Sequence, residues 1–557
     1  MIRSRAIHAL LGTALAAPLL LATTPRAARA QAGLGHLDDA TVVPKGQFRF
    51  QAITSWTRFN SRFAPDGSPT PTIPLGSEYS FDSLGVAQLP ALGGTQGAIQ
   101  ALTGSPFKLS LGRTQAAADA RISVTPISVE YGLFHRITVG VMLPLIRTRT
   151  SIMLRVNPQD TLGNVGMNPA LVNLQALAQD SAVVAQLVHA SASLETALQA
   201  CQADPTANAN CGTILARQGD VSTLLQSATT FSTAFSAVYG ANADVRGAPV
   251  VPVTGTAADL AIRGRLAAFD SSFRAFLSGG ALITGTPASA GGVMGTGDLN
   301  TFLANPGVAG IDSLASTVRI STGDVQLSAR VQLFDGFADS AAAAHPRALV
   351  GRATLTATAS MPTGKLASPT NPLDIGTGRG TMAAGARLAT YLQSGTRLGL
   401  SAAASYTKPL GKTKTGAYPI GDGAPFPPST ADVFPYTPGA IMRFELAPRF
   451  MVTKLLGVNA MYDYLHVAAN DYGAASSVGS PVAPEVATLD GVTGAAGTQQ
   501  AAGFGITFST VTEFGRGKST LPIDITFTHL EALRGTARMP KYFRDQIQIR
   551  LYYRRSR

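Results

Sequence analysis

The chain's reactive side chains are few, and their spacing matches no catalytic pattern. Its seven histidines, His8, His36, His135, His189, His345, His466 and His529, are scattered singly, and its two cysteines, Cys201 and Cys211, have only His189 near them. Neither set has the spacing of a structural zinc site, and no Gly-x-Ser-x-Gly nucleophile turn occurs. The glycines of Gly291-Gly292-Val293-Met294-Gly295-Thr296-Gly297 lack the strand and helix that a phosphate-binding loop requires, so they read as a flexible loop. No catalytic residue, metal or cofactor is expected. A hydrolase assembled from Ser and His on separate strands remains an open alternative.

The patterned chemistry lies in charge. Arg49, Arg330, Arg352, Arg387, Arg397, Arg443, Arg449, Arg544 and Arg550, with Glu130, Asp324, Glu445, Asp463, Glu513 and Asp524, fall on the polar side of segments whose other side is apolar. Such charges are tolerated beside a membrane only where water or an opposite charge meets them. They are the candidate lining of a barrel interior. Two uses stay open: a pore leaning toward anionic solutes, or a ladder of Arg–carboxylate pairs filling the space.

The elements that must hold these residues follow from period-2 alternation. In Arg544–Tyr553, Ile547, Ile549, Leu551 and Tyr553 share one face, while Arg544, Gln546, Gln548 and Arg550 share the other. Twelve such segments occur: 45–59, 121–133, 136–149, 322–334, 347–360, 382–393, 395–409, 438–451, 454–468, 499–513, 520–532 and 541–553. Their lengths suit tilted membrane strands of about nine to eleven residues rather than soluble strands of about five or six. Connections alternate long and short, and the short ones follow even-numbered segments, which puts both ends of the chain on one side. The expected fold is an all-β transmembrane antiparallel barrel of about twelve strands, or fourteen if 60–120 hides a further hairpin, bearing a large α-helical extracellular insertion.

Composition agrees with this. The chain is 45% hydrophobic but only 14% charged, against about 25% in soluble domains. No apolar run after residue 30 approaches the roughly 18 residues of a membrane helix. Residues 1–30, with Arg3 and Arg5, an apolar stretch and Ala28-Arg29-Ala30, read as a secretory signal peptide cleaved near Ala30. Cleavage leaves 40 basic against 32 acidic residues, an excess of +8. Export and the absence of a lysine-rich tract argue against nucleic acid as a partner.

The organisation is therefore a leader over 1–30, strands one to three with a long first loop over 31–149, an insertion over 150–321, and strands four to twelve over 322–557. Within the insertion Leu171, Leu174 and Leu177, then Leu224, Phe231 and Phe235, then Leu266, Phe269 and Phe273 recur at helical spacing and predict at least three helices. Cys201 and Cys211 flank turn material, and in an oxidising compartment they are expected to form a disulfide stapling a helical hairpin.

Short motifs resemble a known family. Tyr131-Gly132-Leu133-Phe134-His135-Arg136-Ile137 through Pro144 resembles the second hairpin of barrels grouped as outer-membrane proteins of the phenol-degradation meta-pathway. Thr322-Gly323-Asp324-Val325 resembles that family's Gly-Asp strand opening, and Pro362-Thr363-Gly364 followed by Gly376-Thr377-Gly378 its Pro-Thr-Gly loop. The resemblance implies an architecture related to long-chain fatty-acid transporters and passage of small hydrophobic or aromatic solutes across a Gram-negative outer membrane. Implied partners are the solute, outer-membrane lipid and lipopolysaccharide, and the barrel assembly machinery. The chain departs from usual barrels by ending Tyr552-Tyr553-Arg554-Arg555-Ser556-Arg557 rather than on an aromatic residue. A non-transporting barrel that anchors the insertion as a surface interaction module is the second reading.

Overall fold

The computed structural model describes residues 40–554 except 65–70, 159–162, 306–307, 309–313, 339–348, 369–370, 372, 396, 412–436, 470–495, 516–518, 520 and 537–538. The expected leader, with His8, His36 and His345, lies outside the described residues.

Twelve long antiparallel strands follow in order: β1 (Gln47–Phe63), β2 (Ser110–Phe134), β3 (Ile137–Val156), β4 (Val325–Asp335), β5 (Leu349–Met361), β6 (Ala383–Ser394), β7 (Leu398–Pro409), β8 (Ile441–Met451), β9 (Leu456–Val467), β10 (Gly497–Ser509), β11 (Ile523–Gly535) and β12 (Pro540–Arg554). Each pairs with its chain neighbour, and β1 pairs with both β2 (Phe48 opposite Tyr131) and β12 (Phe48 opposite Tyr553). The sheet therefore closes on itself, and the twelve wall strands leave no open edge. All twelve expected segments correspond to these strands. The fourteen-strand alternative does not hold: 60–120 contributes the end of β1, the start of β2, two short accessory strands (Thr72–Pro74 and Phe81–Gly85) and a helix.

Alternation sorts the side chains into two environments. Outside stand Phe50, Trp56, Val141, Leu143, Phe444, Phe504, Ile506, Phe508 and Phe527, all exposed, while Gln51, Ser55, Thr138, Thr356, Thr507, Thr528, Gln546 and Gln548 are buried within. An apolar exterior around a polar interior inverts a soluble protein and requires lipid outside. Tyr131, Tyr406 and Tyr553 lie on the outer face near strand ends, where aromatic girdles form, and Tyr462 lies on that face in mid-strand.

A helical module caps one end. Among the described residues six helices contribute: α1 (Gly93–Thr103), α2 (Leu174–Ala203), α3 (Cys211–Ala216), α4 (Gln218–Tyr239), α5 (Ala257–Arg274) and α6 (Thr296–Ala304). The α2 positions Val183, Leu187, Ala190 and Leu194 and the α5 positions Ile262, Leu266, Phe269 and Phe273 are buried at helical spacing and share one core. Asn173 and Thr256 cap α2 and α5 by accepting from backbone N–H groups. Cys201 and Cys211 are bonded and join the end of α2 to the start of α3. The core is wider than the insertion alone, because Ile99 and Leu102 of α1 in the first loop are part of it. Leu109, Leu111 and Val156, at the far ends of the long β2–β3 hairpin, enter the same core and anchor the module to the barrel. No described helix is long and apolar enough to cross a membrane.

Candidate functional site

Between Thr322 and Val325 the wall is interrupted. A short strand, Thr317–Thr322, and then β4 pair in turn along β3, separated by Gly323-Asp324. Into this break fits the connection from β5 to β6. Asp324, only 2% exposed, accepts the Gly364 N–H on Oδ1 and the Arg379 N–H on Oδ2, both at 2.9 Å. Thr363 Oγ1 donates to Gly323 O (2.8 Å) and accepts from the Val325 N–H (2.9 Å). Thr377 Oγ1 donates to Thr322 O (2.9 Å) and accepts from the Lys365 N–H (3.0 Å). Gly364 and Gly378 must be glycine here, since a Cβ on either would lie 2.6 Å from the other's Cα. The Pro362-Thr363-Gly364 and Gly376-Thr377-Gly378 motifs are thus the two halves of one clasp closed on Asp324.

The clasp turns the loop inward. Ile375 packs against the inward-facing Ile122, Val124 and Ile146 of β2 and β3, with Phe59 of β1 beside them. Arg319 holds the loop from the wall, pairing with Asp374 and donating to Leu366 O (2.8 Å). Two residues from Ile375, Leu373 is buried in the core of the helical module.

Charged side chains pair along and across strands on the inner face. Arg443 on β8 donates bidentately to Asp463 on β9 through Nε (2.7 Å) and Nη2 (2.6 Å), and lies 3.3 Å from Glu445. Arg387 on β6 pairs with the same Glu445 from the other side. A polar rung continues from Arg449 to Asn459 (3.2 Å), Asn459 to Thr507 (3.0 Å) and Thr507 to Thr526 (3.1 Å). Near the short-turn end Arg49 pairs with Glu130, its cross-strand partner, and donates to Thr41 Oγ1 (3.0 Å). Arg330 donates to Thr41 O (3.0 Å), Gln332 to Ala40 O (3.2 Å), and the Val43 N–H to Thr138 Oγ1 (2.8 Å). Residues 40–43 consequently run inside the wall at that end, with Ala40 packed on Ala389, Tyr391 and Ala403.

Arg352 lies over the rings of Phe337 (4.6 Å) and Tyr391 (5.4 Å), and Arg544 donates to Thr57 Oγ1 (3.2 Å). Asp524 and Arg550 occupy opposite positions of β11 and β12. Two proposed lining residues lie elsewhere. Arg397 is exposed in the β6–β7 turn, because β7 starts only at Leu398. Glu513 sits in a five-residue helix, Val511–Gly515, because β10 ends at Ser509. In both cases alternation was extended past the residue where backbone pairing stops.

No protein-family model and no curated protein sequence matches the chain. Among solved structures, an outer membrane channel from Pseudomonas putida F1 aligns with a TM-score of 0.40 at 9% identity, covering 94% of this chain and 100% of that one. A FadL homologue from Pseudomonas aeruginosa aligns at 0.27 with 10% identity over 91% and 90% of the two chains. The Ralstonia pickettii toluene transporter TbuX aligns at 0.24 with 8% identity over 91% and 89%. The barrel is established by its own closed strand pairing.

Sequence reasoning did not find Ile375, Asp374, Arg379 or the inward course of residues 40–43. Only the glycines around Thr377 gave a local signal. It also assigned Asp324 to the lining, whereas the carboxylate is committed to two loop amides. Outside the barrel, Asp180 of α2 is fully buried and accepts the Ala288 N–H (2.8 Å), and burial pushes its pKa up to about 7. With Asp270, which takes the Leu282 and Ile283 amides, and Gln186, which takes those of Thr284 and Gly285, it fastens segment 282–288 across α2 and α5. Among the described residues no cluster of three His, Cys, Asp or Glu is placed to hold a metal.

Proposed function

We propose that the protein is an outer-membrane channel for small hydrophobic or aromatic solutes, constricted by the loop between β5 and β6. The observation that carries this reading is Ile375, held inside the wall against Ile122, Val124 and Ile146 by a clasp on Asp324. A barrel serving only as an anchor has no use for a loop fastened into its interior. The apolar character of this constriction favours an uncharged solute, since a charged one would lose its hydration there without compensation. A second apolar patch of inward residues, Met461, Ala501, Leu530 and Tyr542, adds surface of the same kind. The Arg443–Asp463 and Arg387–Glu445 pairs neutralise one another and act as struts across neighbouring strands. No covalent step is assigned to any residue.

The anchoring reading keeps one observation in its favour, the course of residues 40–43 across the short-turn end of the interior. Proteoliposomes separate the two. Entry of a neutral monoaromatic faster than a sugar of similar size supports the channel, and equal, background-level entry of both supports the anchor. The signal peptide, its cleavage near Ala30 and engagement of the assembly machinery belong to the same proposal, and export followed by N-terminal sequencing of the mature protein tests them.

A further inference from the structure

On the outside of the wall, three arginines stand side by side. Arg58 of β1 is directly opposite Arg121 of β2, and Arg121 is directly opposite Arg149 of β3. All three are exposed, as is Arg147, two residues below Arg149 on the same face. Like charges at directly opposed positions repel, since their Cβ atoms are only about 4.5–5.5 Å apart. Relief within the protein is slight: among the described residues Asp119 is the only acid on the outer faces of β1–β3, it lies 3.4 Å from Arg121, and both side chains are largely exposed. Arg58, Arg147 and Arg149 make no ion pair among the described residues. The nearest outward acids on the other side, Glu531 and Asp545, stand on β11 and β12, and Asp545 is paired with His529 at 2.7 Å. The row is therefore an array of cations short of anions.

Its height indicates what supplies them. Arg58, Arg121 and Arg149 lie eleven, thirteen and twelve residues from the short-turn ends of their strands. At a tilt of about 40° each residue rises about 2.5 Å along the barrel axis, which puts the row roughly 30 Å up, just above an apolar band about 25 Å tall. On the same outer face below Arg58, Arg121 and Arg149, Trp56, Leu145, Leu143 and Ile127 are exposed, with Trp56 level with Arg147. A ligand satisfying both levels has acyl chains below and phosphate at the row, and the exposed fork of each guanidinium suits phosphate oxygens.

We infer that Arg58, Arg121 and Arg149, with Arg147, form a binding site for the phosphorylated saccharolipid head of the outer leaflet, the lipid A part of lipopolysaccharide. The inference rests on the outer-membrane reading, since it takes the long-loop end as the outer leaflet. Trp56 lies two residues below Arg58 and is the only tryptophan of the chain, so its fluorescence reports this site alone. The experiment uses the full-length protein in phosphatidylcholine vesicles, titrated with diphosphoryl lipid A, with dephosphorylated lipid A, with phosphatidylglycerol, or with inorganic phosphate. The expected result is a saturable Trp56 change with diphosphoryl lipid A, at least tenfold weaker for R58S/R149S and restored toward wild type by R58K/R149K. An equal response to phosphatidylglycerol, a response to free phosphate, or a serine variant binding like wild type overturns the site. Heat-modifiable migration on gels, read in every sample, verifies the folded barrel; a wild-type protein that does not insert as one overturns the membrane reading instead.

Discussion

Leu373 and Ile375, two residues apart on one loop, belong to different hydrophobic clusters: Leu373 to the core of the helical module, Ile375 to the interior of the barrel. Any movement of the module would therefore reach Ile375 through two residues of one loop. Leu373→Ala removes the anchor while leaving Ile375 in place. Truncation of a buried leucine costs about 2–5 kcal/mol, and here most of that is expected to appear as loop release. Uptake of a neutral aromatic should rise, with the heat-modifiable barrel unchanged on gels.

Asp324 is the clasp's common acceptor. Asp324→Ala leaves the Gly364 and Arg379 amides without the carboxylate, at about 1.5–3 kcal/mol for each hydrogen bond to a charged group. Asp324→Asn keeps one acceptor and should fall between. Gly378→Ala should reproduce the alanine phenotype by a separate route, because its Cβ would lie 2.6 Å from Asp324 Oδ1. Single-channel conductance in planar bilayers should rise in the order wild type, D324N, D324A.

Arg443, Glu445 and Asp463 make a compact set in which one guanidinium serves two carboxylates. Asp463→Ala shifts the interior toward positive charge, so reversal potentials across a potassium chloride gradient should move toward anion selectivity. Arg443→Ala leaves Glu445 directly opposite Asp463. It should shift selectivity toward cations and destabilise more, on the order of 3–5 kcal/mol for a broken buried pair.

The sequence carried the barrel because alternation is a local signal: a residue facing lipid and its neighbours facing inward differ in polarity whatever their partners are. Hence twelve expected segments correspond to twelve strands, and Ile547, Ile549, Leu551 and Tyr553 face out as expected. Asp324 shows where local reading stops. Its polarity and phase suit a lining residue, but its role is set by amides some forty and fifty-five positions away. Ile375 was invisible for the same reason, being one isoleucine in a polar loop whose burial depends on a clasp formed elsewhere. Arg397 and Glu513 failed at strand ends, where alternation outlasts pairing.

The Cys201–Cys211 bond closes a short loop, and constraining such a loop in the unfolded chain contributes about 3 kcal/mol by the chain-entropy estimate. Reduction should increase hydrogen exchange at the end of α2 and in α3, while the barrel strands remain protected.

Asp180 sets a pH dependence of the module. Burial holds its folded pKa at about 7, above the ordinary carboxyl value of 3.8, so its contribution to stability is full below pH 3.8 and declines as pH rises toward 7. Exchange of the 282–288 amides, corrected for the intrinsic rate, should therefore quicken across that window. Asp180→Asn should flatten the trend and protect these amides at pH 8.

The central claim is that solute passes through the interior under control of the loop that Asp324 clasps. The most direct measurement is the initial rate of entry of a radiolabelled neutral monoaromatic into proteoliposomes bearing wild type or D324A, with a sugar of similar size as the control. The account predicts slow aromatic entry for wild type, faster than the sugar, and at least a tenfold rise for D324A. Entry no faster than in protein-free vesicles for both proteins, with both folded as barrels, would contradict it.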